Sequence, residues 1–160
     1  MEKTNSREIN WTENDFEKMQ WHDCKIYAMA FDGEKFELIF DIDYIVEWVT
    51  LNEGETSFKF WVSPATLVFR NVYDIHIALY SVDFQIQNVS RANPSKPKNS
   101  SHIKDIFEYD WTFETTNGNI VFKSVGYNQY ARREPVLLAS QTIDLPDRGG
   151  ISFDRRTYSK

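Results

Sequence analysis

Cys24 is the lone cysteine of this 160-residue chain. That excludes an internal disulfide and any cysteine-based zinc cluster, and it fits a reducing compartment. No apolar run approaches the roughly 18–20 residues that span a bilayer. Met1 to Asn10 are polar and charged, unlike a secretory leader, so the expected location is cytoplasmic with no membrane partner. A Gly-rich phosphate loop, GxSxG, HExxH and CxxC are all missing. Strands alternating with long helices are missing too, which sets aside a doubly wound nucleotide-binding fold.

Basic charge is scarce in the first part of the chain. Residues 1–60 carry 6 Lys/Arg against 14 Asp/Glu, whereas residues 61–160 carry 12 against 10. The net charge of −6 therefore conceals a front half at −8. Such a surface repels phosphates, so nucleic acid is not the expected partner. It attracts a cation or a basic protein.

What is present is globular in kind: 41% hydrophobic, 26% charged and 16% aromatic residues. The aromatics suit a core of strands, and the length suits one domain over residues 1–160. Thr12 to Gln20 predicts a short helix, with Thr12 and Asp15 in a capping-box arrangement and Phe16 and Met19 packing down. From Cys24 the period becomes two. Phe36 to Tyr44 alternates apolar residues with Glu37, Asp41 and Asp43, which predicts a strand with one face to the core and a carboxylate row facing water.

Asp32-Gly33 predicts the hairpin before that strand, and Asn117-Gly118 predicts another. Ser63-Pro64 is expected to break the strand it follows. The parity slip at Tyr80-Ser81 reads as a bulge or tight bend. Residues 90–101, rich in Ser, Asn, Pro and Lys, read as a mobile loop. Val136–Ile143 reads as a last strand, and 146–160 as a polar tail along the surface. The fold class is mainly β: a single, strongly curled antiparallel sheet, or a two-layer sandwich or barrel, with one short N-terminal helix.

Several groups invite a chemical reading. Asp41 and Asp43 share a strand face and, with His22 and Asp23, can grip a hard cation or divide acid and base roles. The ordinary alternative is a wet face balanced by Lys25 or Lys59. Cys24 and His22 suggest an activated thiolate, but apolar neighbours favour a buried, inert thiol. Trp48 and Trp61 are the candidate exposed anchors, since large aromatics beside charge are typical hot spots, while Trp111 belongs to the core. Arg132 and Arg133 can clamp an anion. Their everyday role is to pair with the acidic row.

The string Trp21-His22-Asp23-Cys24-Lys25-Ile26-Tyr27, followed by Leu38 to Ile45, resembles short bacterial β-rich proteins, some of them small acidic immunity proteins. That resemblance carries no catalytic residue over. The expected function is non-enzymatic binding of a basic partner by Glu37, Asp41, Asp43, Trp48 and Trp61, without a cofactor. A metal-dependent hydrolase or isomerase at His22, Asp23, Asp41 and Asp43 is the alternative, and a small-ligand carrier the third class.

Overall fold

A computed structural model describes residues 8–50, 52–102 and 107–159. The chain forms β1 (Asn10–Thr12), a 3-10 helix (Glu13–Lys18), β2 (Lys25–Asp32), β3 (Glu37–Val49), β4 (Lys59–Arg70) and β5 (Tyr73–Leu79). Then come β6 (Ile86–Ser95), β7 (Glu108–Thr115), β8 (Gly118–Ser124), β9 (Gly126–Ala131), β10 (Val136–Leu138) and α1 (Leu145–Arg148). They build two antiparallel sheets, ordered β1-β9-β4-β3-β2, with β10 also on β4, and β5-β8-β7-β6. The expectation of a single, strongly curled sheet is thereby corrected: the described residues form two sheets, and neither curls strongly nor closes. Among the described residues, no helix is long and apolar enough to cross a membrane.

The sheets meet through aromatic rings. Phe40 of β3 stacks on Phe113 of β7 at 4.9 Å between centroids, and Phe69 of β4 meets Phe122 of β8 edge-on at 4.8 Å. Both arrangements are favoured geometries for ring pairs. The alternation along β3 explains this wall, because Leu38, Phe40, Ile42 and Tyr44 all face inward and are buried. Phe36 does not join them. It sits in the β2–β3 turn at φ 55° and is exposed, while Asp32 Oδ1 accepts from the backbone of Glu34 and Lys35.

The N-terminal helix forms where the capping box places it. Thr12 N donates to Asp15 Oδ2 at 2.9 Å, and Asn14 N to Thr12 Oγ1 at 3.3 Å. The turn is of 3-10 type, and Phe16 packs edge-on against Trp111.

Three other expectations need correction. β4 runs unbroken through Ser63-Pro64. Pro64 lies where β4 exchanges β10 for β9 as its neighbour, with its carbonyl accepting from Arg132 N. In a strand the N–H and C=O of one residue point to the same side, so the missing donor falls at a gap in pairing. At Tyr80-Ser81 the chain bends rather than bulges, the second of the two expected forms; residues 80–85 carry it from one edge of the second sheet to the other, around the Asn117 turn. Ser90 to Ser95 belong to β6 and pair with β7. The last strand shrinks to Val136–Leu138.

The largest departure concerns the C-terminal segment. Instead of trailing, it lies across the outer face of β3 and β4. Tyr27 Oη donates to Ile143 O at 2.6 Å, Thr66 Oγ1 to Asp154 O at 2.5 Å, and Arg155 pairs with Glu37 at 2.9 Å. This strap makes both faces of β3 interior.

Candidate functional site

Asp41 and Asp43 are wholly buried, so their expected place on a wet carboxylate face is overturned. A 13-residue strand with neighbours on both sides and cover on both faces leaves no water for them. Charge burial on that scale requires partners. Arg148, itself wholly buried, supplies them. Its Nη2 donates to Asp41 Oδ1 at 2.8 Å, its Nη1 to Asp41 Oδ2 at 2.9 Å, and its Nε to Asp43 Oδ1 at 3.0 Å.

The remaining valences are filled from the same strap and from β9's end. Arg132 Nη2 reaches Asp41 Oδ1 at 2.7 Å and Thr66 Oγ1 takes its Nη1 at 2.9 Å. Ser152 N donates to Asp41 Oδ2, and Ile143 N to Asp43 Oδ2. The Arg148 guanidinium lies 4.0 Å over the Tyr27 ring. Burial pushes the Asp43 carboxyl above its ordinary range, against the pull of Ile143 N–H and Arg148. Burial also opposes the charge of Arg148, but its bonds to Asp41 and Asp43 outweigh this and raise its pKa.

Both carboxylates are thus consumed as a structural clamp. His22 and Asp23 meet each other at the surface, Nε2 to Oδ2 at 3.5 Å, away from the clamp; His22 Nδ1 is 2.8 Å from Gln87 O, and Asp23 accepts from Gln141 Nε2 at 2.8 Å. The proposed four-residue metal or acid–base cluster does not converge. Among the described residues, no group of three or more His, Cys, Asp or Glu is arranged to hold a metal ion. Arg132 is a clamp member, and Arg133 Nη1 donates to Asp147 O at 2.6 Å.

Cys24 is buried with its thiol pushed up to about 12, chiefly by desolvation, and it accepts from Ile45 N at 3.4 Å. A thiol so placed is a poor nucleophile. An aromatic disulfide reagent is expected to leave native Cys24 unmodified at pH 8, and to label one thiol once urea unfolds the chain. Prompt labelling of folded protein would refute this placement.

Two accessible features bear on binding. One is the far end of the β3–β4 hairpin, where Trp48 is 39% and Phe58 45% exposed. Their rings meet edge-on at 6.0 Å, Trp48 rests on Phe60 at 4.9 Å, and His22 stacks on Trp48 at 6.4 Å. In sequence, residues 46–60 carry Glu47, Glu53 and Glu55 against the single cation Lys59. Trp61, the other expected anchor, is half-buried, and Glu37 is held by Arg155. The second feature is a cavity of about 680 Å³ between β10 and the strap. Sequence reasoning missed it because its walls come from Pro64, β10 and the strap, segments with no shared periodicity.

No family model, no curated protein and no solved structure matches the chain.

Proposed function

We propose that the chain is a binding protein rather than a catalyst, and that it engages a basic protein through the end of the β3–β4 hairpin. One observation carries this reading: a paired, solvent-facing Trp48 and Phe58 on a hairpin whose sequence also carries Glu47, Glu53 and Glu55. Large aromatics give contact area at little entropic cost, and carboxylates on the same hairpin steer a cationic partner toward them. The immunity-type role suggested by the Trp21–Tyr27 string is consistent with such a surface. The groups best suited to chemistry, Asp41, Asp43 and Arg148, are committed to one another instead.

Immobilised wild type and W48A/F58A are compared for capture from native lysate at low and moderate salt. A stoichiometric basic protein is expected on wild type, held more weakly as salt rises. The double variant should lose affinity by about 30-fold or more, the effect of removing a hot spot worth ~2 kcal/mol. Both side chains are partly exposed, so its melting point should move little. Equal capture by both proteins, or no stoichiometric protein at either salt, overturns the reading.

A further inference from the structure

The cavity on the outer face of the first sheet is a separate surface from the hairpin end. Its floor is apolar, made by Pro64, Val136, Leu138 and Ile143. Three acids, Glu134, Asp144 and Asp147, stand in its lining and are exposed. Arg133 is the one cation in that lining, and its Nη1 is spent on a backbone carbonyl. The lining therefore carries two more negative than positive charges.

Asp144 is informative in a second way. It occupies the N-cap position of α1, where an aspartate ordinarily folds back onto the helix backbone. Here it makes no such bond. Among the described residues, no hydrogen bond or ion pair engages the carboxylates of Glu134, Asp144 or Asp147. The neighbouring clamp shows the contrast, since every oxygen of Asp41 and Asp43 is bonded.

We infer that this cavity binds a small organic cation, with an apolar body on the Val136–Leu138–Ile143 floor and an amine or guanidinium among the rim carboxylates. Its volume falls within the 300–1,000 Å³ usual for small-molecule sites. β10 bounds it on one flank and the strap on the other, which favours a compact ligand over a long extended peptide. The clamp keeps the strap wall in place, because Ile143 N is bonded to Asp43 and Arg148 follows Asp147 directly.

The test uses three molecules of one shape: phenylbutylammonium, phenylbutanol and phenylbutyrate, titrated into the full chain by calorimetry and by NMR. The cation is expected to bind roughly tenfold more tightly than the anion, with the alcohol between, the sum of a few solvent-screened charge contacts. Methyl shifts should map to Val136, Leu138 and Ile143. In E134Q/D144N/D147N the preference should collapse to within about twofold, at an unchanged melting point. Equal affinities, no binding at millimolar concentration, or shifts mapping elsewhere would each overturn the assignment. So would an arginine-containing tripeptide binding tenfold more tightly than phenylbutylammonium, which would make the occupant a protein segment. W48A/F58A should bind all three molecules as wild type does, so the two surfaces stand or fall separately.

Discussion

Replacing Arg148 by methionine is expected to lower unfolding free energy by about 3–5 kcal/mol, the cost of leaving buried Asp43 without its counter-charge and Asp41 with Arg132 alone. Against a typical total of roughly 5–15 kcal/mol this is severe. The effect follows from geometry: one guanidinium closes on Asp41 and Asp43 at once, inside a region no water reaches. Urea titration measures it, and limited proteolysis within residues 139–158 reports whether the strap has come loose. The triple variant D41N/D43N/R148M removes both carboxylates and Arg148 together, leaving Arg132 at the edge of the clamp. It is expected to regain roughly half of the loss, because amides are less costly to bury than carboxylates. An R148M protein as stable as wild type would show that the clamp holds nothing.

Gly118→Ala should be nearly as damaging, at about 2–5 kcal/mol. Gly118 begins β8, pairing with Thr115 of β7 on one side and Leu79 of β5 on the other. Its φ is +117°, and a Cβ there would stand 1.8 Å from the Ala78 carbonyl oxygen. A backbone atom cannot swing aside, so β5 must move, and the φ value strains any L side chain in addition. Asn119→Ala, at the next and exposed position, is the control and should change stability by less than about 0.5 kcal/mol. Thermal and urea unfolding of the pair decide the matter; equal midpoints would show that the turn accommodates a methyl group.

The strands were legible where one face is apolar and the turn residues are specific. Leu38 to Tyr44, the Asp32-Gly33 and Asn117-Gly118 turns, the Thr12–Asp15 box and the buried Cys24 all follow from local pattern. Placement of the carboxylates did not. Alternation reveals that Asp41 and Asp43 share a face but is silent about what covers it, and their partner lies 105 or more residues onward in a polar stretch. A usable signal existed in the charge asymmetry. The surplus acid of residues 1–60 meets Arg70, Arg132, Arg148 and Arg155 within the same molecule. An imbalance between halves can thus report folding of the chain onto itself as readily as attraction to another protein. The end of β6 was misread for a related reason: Ser, Asn and Pro give no periodicity, yet at a sheet edge the backbone ladder with β7 suffices.

The strap's late position in the chain has a consequence for biosynthesis. β3 leaves the ribosome with two ionised aspartates that must stay hydrated until Arg148 is made. At roughly 5–20 residues per second, that delay is on the order of 5–20 s. Throughout this interval the nascent sheet has one wet side, and a prematurely released fragment would keep it. Quality-control proteases would therefore meet truncated products with an open, acidic flank, whereas a polypeptide that carries the strap seals it.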